Sequence, residues 1–240
     1  MGTDKNHRES KRFREAMAFL ETLSEDVLEA SRVRPGQSVA GHGPNTTGGT
    51  LIRPGGRDCY PAFWIRDFAI SLACGLVPPQ EIEHALLLTA RCQASEDWRT
   101  PSGSFVPRGS IADHITFDGV PIYFPGGLIY ETQGQPFGYF PSLDDHFYFV
   151  EMAWQMVNLH GNREILEKDI DGMPLLDRLD LAFAIPPVKN ELVWCDEEER
   201  GVSFGFTDIV VHTGCLLFCS ILRYRATVQL ADLHQLKGAE

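Results

Sequence analysis

The segment YPAFWIRDFAISLACGL, residues 60–76, places charged side chains at the start of an apolar stretch. Trp64, Arg66 and Asp67 stand directly ahead of residues that are typical of a buried helix. Because an unpaired charge is costly to bury, Arg66 and Asp67 must either pair inside the fold or serve a ligand. An exposed tryptophan packs well against sugar C–H groups, and an arginine with an aspartate can bind vicinal hydroxyls. The segment therefore indicates either a locked helix start or a sugar-binding surface.

The composition of the chain excludes several classes of function. Its 240 residues, of which 43% are hydrophobic, suit a single domain over residues 1–240. The net charge of −12 and the scattered basic residues argue against a nucleic-acid partner. No apolar run suits a membrane span or a signal peptide, so we expect no membrane partner. The six cysteines include no C-x-x-C pair, which predicts reduced thiols and a cytoplasmic protein.

Hydrophobic periodicity predicts a largely helical chain with long loops. The loops are rich in glycine, proline and aromatic residues, a composition that favours binding over disorder. Short strands are expected only at 115–117 and 122–124. The predicted helices cover residues 11–33, 65–75, 79–93, 144–159, 163–183 with an interruption near 172–174, and 213–236.

A second group of candidate residues lies at a predicted helix start in PSLDDHFYF, where Asp144, Asp145 and His146 are consecutive. Aspartate is a good N-cap, so one carboxylate has a structural interpretation. Adjacent residues on a helix point in different directions, so at most one of the two caps the helix. Asp145 and His146 are therefore candidate substrate-binding residues.

A third group lies in WCDEEERGVSFGFTD, residues 194–208. The acidic run that contains Glu197 and Glu198 is typical of a solvated surface. Asp208 follows an aromatic segment and precedes the apolar residues IVV, and it either caps the last helix or titrates in apolar surroundings. Burial raises the pKa of a carboxyl group, as a general acid requires near neutral pH.

Three pairings of aspartate with histidine raise a metal-dependent alternative. They are Asp113 with His114, Asp145 with His146, and Asp208 with His212. A pair four residues apart shares a helix face and can bind a metal. Neither an H-E-x-x-H motif nor a Cys/His ligand set accompanies these pairs, so we expect no metal and no other cofactor.

The segment YPAFWIRDFAISL resembles the W-x-R-D segment of the six-hairpin (α/α)6-barrel glycosidases, which include glucoamylase-like and trehalase-like enzymes. Residues 205–233 also resemble a barrel helix of that superfamily. The resemblance implies that Arg66 and Asp67 hold sugar hydroxyls and that Trp64 lines the pocket. Its general acid lies in a Trp-Glu-Glu segment, to which WCDEEE is a loose counterpart. The candidates for that role are Glu197, Glu198 and Asp208.

The fold implied by this resemblance is mainly α, an incomplete (α/α)6 toroid of helical hairpins. A ring of about twelve helices with long loops needs well over 300 residues, so we expect only the N-terminal half of a barrel. The second catalytic carboxylate that glycoside hydrolysis requires would then lie in the missing half. The open toroid would expose apolar helix faces, which favours a homo-oligomer.

Two functions from different classes follow from these features. The first is a glycoside hydrolase that uses carboxylate general acid/base chemistry on a carbohydrate substrate. The second is a non-catalytic sugar-binding module or a truncated barrel fragment that lacks the water-activating carboxylate. A metal-dependent enzyme built on the Asp/His pairs is a third.

Overall fold

The fold combines helices with short β-hairpins. Of its residues, 48% are helical and 16% are in strands. The prediction of a mainly-α toroid of helical hairpins is therefore wrong. The computed structural model describes residues 2–55, 60–100, 103–124, 140–198, 201–202 and 212–238, with side chains described from residue 10.

The predicted helical regions all contain a helix. The region predicted over 163–183 is interrupted, as expected, by a β-hairpin whose turn includes Gly172 at φ 82°. The 3-10 helices Leu72–Cys74 and Glu164–Glu167 adjoin the longer elements. Within the described residues the α-helices are α1 (Gly2–Ser31), α2 (Ile65–Ser71), α3 (Pro79–Arg91), α4 (Asp145–His160), α5 (Leu175–Phe183) and α6 (Leu217–Lys237).

The strands are short and pair antiparallel in small sheets. Among the described residues, the two-stranded sheets pair β1 (Arg32–Val33) with β4 (Leu51–Ile52), β2 (Ser38–Val39) with β3 (Gly43–Pro44), β6 (Trp98–Arg99) with β7 (Phe105–Val106), and β10 (Asp169–Ile170) with β11 (Met173–Pro174). The three-stranded sheets of the same residues have the orders β5 (Ala62–Trp64), β8 (His114–Thr116), β9 (Pro121–Ile122) and β12 (Val188–Lys189), β13 (Leu192–Cys195), β14 (Gly214–Cys215).

The prediction of a toroid failed because segments interpreted as loops turn back on themselves as hairpins. Gly103 and Gly119 have φ values of 98° and 87° in the turns that follow β6 and β8. Such positive values suit glycine, which has no Cβ to clash with the backbone. Strands of two or three residues are too short to display the alternating pattern by which a strand is recognised. Both predicted strands exist, displaced by about one residue, as β8 and β9.

Helix α4 is the centre of the fold and packs against α2, α3, α5 and α6. Its first nine residues, 145–153, are all buried. A helix that is buried on every side is expected at the centre of a core, and not on its surface. The helix ends at Gly161, whose left-handed backbone (φ 68°) closes the last turn with a hydrogen bond to Val157 O.

Helix α1 has the opposite character. The side chains from Ser10 to Val27 are exposed, apart from half-buried Ser24, and burial begins only at Leu28. Among the described residues, no helix is long and apolar enough to cross a membrane.

Candidate functional site

The site begins where strand β5 runs directly into helix α2. The backbone changes from extended at Trp64, the N-cap residue, to helical at Ile65. Asp67 lies in the first turn of α2, where a carboxylate interacts favourably with the helix dipole. This junction sends Arg66 into the interior, where its side chain is only 2% exposed.

Arg66 is held by three aspartates that are themselves buried. Its Nε donates to Asp144 Oδ2 at 2.6 Å, and its Nη2 donates to Asp144 Oδ1 at 3.2 Å. The same Nη2 donates to Asp145 Oδ2 at 2.9 Å and lies 3.4 Å from Asp113 Oδ1. We call these four residues the Arg66 cluster. The guanidinium that was predicted to bind sugar hydroxyls thus directs Nε and Nη2 to carboxylates of its own chain.

The first aspartate of the cluster, Asp113, is placed by the pairing of β5 with β8. It immediately precedes β8, and its Oδ2 accepts a hydrogen bond of 2.8 Å from His114 Nδ1. Its Oδ1 accepts a second bond from Ser142 Oγ at 3.1 Å. Burial acts to raise the pKa of Asp113, but the bond from His114, the charge of Arg66 and the Ser142 hydroxyl together hold this pKa below its ordinary value.

The other two aspartates come from the start of helix α4. Asp144 precedes the first residue of α4, and Asp145 is that residue. Among the described residues, Asp145 Oδ1 has no hydrogen-bond partner, although it is buried. Burial raises the pKa of Asp145 well above its usual range; Arg66 opposes this effect, and the neighbouring aspartates, including Asp67, reinforce it.

The cluster therefore contains more carboxyl groups than one guanidinium can neutralise. Three aspartates surround Arg66, and each is at most 2% exposed. Isolated buried carboxylates are costly, and this cost falls when one of them takes up a proton. Among the three aspartates, Asp145 is the one at which burial and the neighbouring carboxyl groups favour the protonated form, and its Oδ1 has no hydrogen-bond partner among the described residues.

An aromatic surface adjoins the cluster. The strand register places Trp64 opposite His114, and their rings stack with centroids 4.4 Å apart and planes inclined by 20°. Tyr60 meets Trp64 edge to face at 5.1 Å. The bond from His114 to Asp113 anchors this stack to the Arg66 cluster. Trp64 is half-buried, so its ring is held in place while part of it stays open to solvent.

Asp67 lies on the wall of a small cleft between α1 and α2. The cleft has a volume of about 260 Å³ and is lined by the ends of both helices and by the segment after β4, including Ser31, Arg53 and Phe68. Burial raises the pKa of Asp67; Arg66 opposes this shift, and Asp113 and Asp144 reinforce it. Asp67 is half-buried, so it combines a perturbed pKa with access to solvent.

His146 lies in the core next to the cluster. Its Nδ1 donates to Ser142 O at 3.2 Å, and its Nε2 accepts from Ile111 N at 3.3 Å. Burial lowers the pKa of His146 to about 4, and backbone hydrogen bonds to Ser142 and Leu143 oppose this shift. A fully buried neutral histidine with both nitrogens bonded to backbone stabilises the entry to α4, so the structure gives this predicted substrate-binding residue a structural role.

The predicted catalytic carboxylates divide into two groups. Glu197 and Glu198 are described and exposed, just beyond strand β13. Asp208 lies outside the described residues. Val202 lies beside the entry to α4, because Val202 N donates to Phe140 O and Val202 O accepts from Leu143 N, immediately before Asp144.

Sequence reasoning missed the partners of Arg66. It treated Asp113 and His114 as possible metal ligands and expected at most one of Asp144 and Asp145 to cap the helix. The available signal was the excess of carboxyl groups over arginines in segments that also carry aromatic residues. Among the described residues, no group of three or more His, Cys, Asp and Glu side chains is arranged to hold a metal ion.

Comparison of this chain with protein-family models, with curated proteins and with solved structures yields no match.

Proposed function

We propose that this chain binds a carbohydrate at the aromatic surface of Trp64 and His114, that Asp67 in the first turn of α2 contributes a carboxyl group, and that the chain hydrolyses a glycosidic bond there. The observation that carries this proposal is the stacked Trp64–His114 pair, fixed at 4.4 Å above a buried acidic cluster. A rigid aromatic ring loses little entropy when an apolar sugar face packs on it. Such a surface beside carboxyl groups suits a ligand that has both C–H faces and hydroxyls.

Asp67 supplies the polar contact in this proposal. A half-buried carboxyl group with a raised pKa accepts hydrogen bonds from hydroxyls when it is ionised and donates one when it is protonated. The Arg66 cluster fixes the start of α2. It thereby fixes the positions of Trp64, the N-cap residue of α2, and of Asp67 in its first turn. Arg66 is thus a positioning residue in the proposed site.

Hydrolysis requires a proton donor and a second carboxylate at a defined separation. We assign the donor to Glu197, Glu198 or Asp208, which lie in the same stretch of sequence as Val202, a residue that contacts Phe140 and Leu143 at the entry to α4. Resemblance of residues 60–72 to the W-x-R-D segment of six-hairpin glycosidases supports the reaction class. The toroidal fold of those enzymes no longer supports it, because this chain is a mixture of helices and hairpins.

A non-catalytic carbohydrate-binding function is the second candidate. It is favoured by the internal use of Arg66, whose Nε and Nη2 bind aspartates. Binding without turnover separates this function from hydrolysis.

We place the protein in the cytoplasm in this proposal. The described cysteines, Cys74, Cys92, Cys195, Cys215 and Cys219, are all free thiols, which supports a reducing compartment.

The test of the proposed function is a thermal melt of the full chain with a panel of monosaccharides and iminosugars. A ligand that binds only the folded state raises Tm through the term RT ln(1 + [L]/Kd), so even weak binding registers at high concentration. We expect one sugar to raise Tm, and both Trp64→Ala and Asp67→Asn to abolish that shift. Trp98→Ala is the matched control, because Trp98 is also partly exposed and lies outside the site.

Hydrolysis is then measured with aryl glycosides of the sugar that binds. We expect one of Glu197→Gln, Glu198→Gln and Asp208→Asn to lower kcat by at least about a hundredfold while the Tm shift is kept. A sugar that shifts Tm without turnover favours the binding function. The proposal as a whole fails if no sugar of the panel shifts Tm, or if Trp64→Ala leaves the shift intact.

A further inference from the structure

Two adjoining cavities lie where helix α3 ends. The smaller has a volume of about 430 Å³ and the larger a volume of about 710 Å³, and both volumes suit a small-molecule site. The cavities share a wall, because Arg91 and residues 93–95 line both. The described residues of the two linings include none of Trp64, His114 and Asp67, so the cavities are separate from the proposed carbohydrate site. We call the smaller one the arginine cavity and the larger one the aromatic cavity.

Three arginines from different elements meet at the arginine cavity. Arg91 is the last residue of α3, Arg108 follows strand β7, and Arg178 lies on α5. The chain has 21 lysine and arginine residues against 33 acidic ones, so three arginines in one lining do not follow from its composition. A guanidinium group binds phosphate and carboxylate oxygens through paired hydrogen bonds. The cavity is therefore a candidate site for an anion.

Arg178 is the fixed base of the arginine cavity. Its side chain is only 9% exposed, and its Nε and Nη2 both donate to Ile170 O. Its Nη1 donates to Ala90 O at 3.0 Å and to Gln93 Oε1 at 3.3 Å. These acceptors are all uncharged, and no carboxylate of the described residues forms an ion pair with Arg178. The guanidinium group therefore has a fixed orientation and a charge that none of its bonded partners neutralises.

Arg91 and Arg108 supply the accessible donors of the cavity. Both side chains are exposed, and within the described part of the chain neither guanidinium group has a hydrogen-bond or ion-pair partner. The backbone of Arg108 is anchored, since its N donates to Asp97 Oδ1 at 2.6 Å. Exposed Ser95 adds a hydroxyl group to the wall that the two cavities share. An anion in the cavity can accept hydrogen bonds from these side chains without breaking an ion pair of the chain.

The charge of the lining selects the kind of anion. Asp171 is the one carboxylate among the described lining residues, so the three arginines leave a charge of +2. Burial lowers the pKa of Arg178, and the charges of Asp171 and Asp169 oppose this shift. Asp169 and Glu96 lie near the cavity but outside its lining, and they weaken the potential around it. Binding therefore depends on direct contact with the guanidinium groups, and a charge of +2 suits a phosphate monoester, which carries about −1.5 to −2 at pH 7.

The aromatic cavity presents a fixed indole ring beside this anion site. Trp98 is 39% exposed, and Tyr123 meets its ring edge to face with centroids 5.8 Å apart. Tyr123 is held in turn, because its hydroxyl donates to Cys92 O at 2.8 Å. Strand pairing places Trp98 opposite Val106 and fixes its backbone. A held and partly open indole ring is a stacking surface for a planar ring of a ligand.

We propose that the two cavities together bind a phosphate monoester that carries a planar ring, of the nucleoside monophosphate class. The phosphate group contacts Arg91 and Arg108 above Arg178, and the ring lies in the aromatic cavity against Trp98. The inference does not rest on glycoside hydrolysis, because none of these residues belongs to the carbohydrate site.

Isothermal titration calorimetry of the full chain tests the proposal with AMP, GMP, CMP and UMP, with their nucleosides and with inorganic phosphate. We expect at least one nucleotide to bind at least about tenfold more tightly than its nucleoside and than inorganic phosphate, since it alone makes both contacts. Raising the salt concentration should weaken the binding of the nucleotide more than that of the nucleoside. Equal affinities for the best nucleotide and for inorganic phosphate would overturn the proposal, because the site would then be one for the free ion.

Variants at the two cavities separate the contacts. Arg91→Ala and Arg108→Ala should each raise the Kd of nucleotide and of phosphate by at least about tenfold, as loss of a charge-assisted hydrogen bond does. Trp98→Ala should raise the Kd of the nucleotide about tenfold and leave that of phosphate unchanged. Asp171→Asn should lower both, because it removes the carboxylate of the lining. Arg163→Ala is the matched control, since Arg163 is exposed and lies outside both linings.

Because Arg91, Arg108 and Trp98 are exposed, their variants should keep the Tm of the wild type without ligand. The proposal fails if no nucleotide binds, or if Arg91→Ala and Arg108→Ala bind it as tightly as Arg163→Ala does. It also fails if Trp98→Ala weakens phosphate and nucleotide equally. Trp64→Ala should leave nucleotide binding intact, so failure of the carbohydrate proposal and failure of this one are distinguishable.

Discussion

Arg66 and Asp144 form a two-point contact between residues 78 positions apart, with Nε 2.6 Å from Oδ2 and Nη2 3.2 Å from Oδ1. The contact joins the start of α2 to the start of α4, the central helix of the fold. Two parallel bonds between a guanidinium and a carboxylate fix orientation as well as distance. The position of Asp67 and Trp64 relative to the core therefore depends on this pair.

Replacement of Asp144 by asparagine should lower the free energy of unfolding by about 1–3 kcal/mol, because one of the two Asp144 oxygens that accept hydrogen bonds from Arg66 becomes an amide donor while Asp113 and Asp145 still balance the charge. Urea unfolding followed by circular dichroism measures the change. Asp26→Asn is the matched control: Asp26 is exposed on α1, and its replacement should change stability by less than about 0.5 kcal/mol. A loss below about 1 kcal/mol for Asp144→Asn would show that Asp113 and Asp145 compensate fully.

The stability of the chain should depend on pH through Asp145. Burial, reinforced by the neighbouring aspartates and opposed by Arg66, raises the pKa of Asp145 well above that in the unfolded chain. The folded state therefore keeps a proton that the unfolded state releases, so this group lowers stability as pH rises from about 4 to the folded pKa.

Asp145→Asn removes this dependence, since an amide does not titrate. The variant should gain stability relative to the wild type as pH rises through that interval. His146 has the opposite effect. Its pKa of about 4 in the folded chain lies below the pKa of histidine in the unfolded chain, so stability falls as pH drops below the unfolded pKa. His146 is present in both chains, so the difference between their unfolding free energies isolates Asp145. A difference that stays constant with pH would contradict the assignment of the stored proton.

The local elements were predictable, whereas the partners of Arg66 were not. Periodicity located α2, α3 and α4 because each buries an apolar face. The charged start of α2 also predicted that Arg66 would be either paired or functional. Its partner Asp113, however, lies 47 residues away and is brought near by the register of β5 on β8. Strands of three residues carry too little pattern for such a register to be read from the sequence.

The toroid was wrong for a related reason. A short motif around Trp64 resembles one family, and the rest of the architecture was extended from that local likeness. The glycine turns at Gly103 and Gly119 fold segments that were predicted as loops into hairpins. Turn chemistry at individual glycines therefore decided the fold class, and no apolar periodicity reports on it.

Replacement of a glycine by alanine can destabilise the chain in two ways, by backbone strain and by a clash of the added Cβ with a neighbour. Gly109 and Gly119 both have positive φ, 93° and 87°, so alanine is strained at either position. At Gly119 an added Cβ meets nothing within 4 Å, whereas at Gly109 it would lie 2.6 Å from Leu181 Cγ. Gly109→Ala should therefore exceed Gly119→Ala in destabilisation by about 1–3 kcal/mol, the usual cost of overpacking.

A double-mutant cycle with Leu181→Ala tests the cause of this difference. Removing the leucine Cγ should make Gly109→Ala about as costly as Gly119→Ala, which leaves the backbone strain alone. Equal effects of the two glycine substitutions in the wild-type background would show that α5 shifts to admit the methyl group. If Gly109→Ala is just as destabilising in the Leu181→Ala background, its cost arises instead in the backbone around Gly109. There, Gly109 N donates to Ala94 O at 2.7 Å.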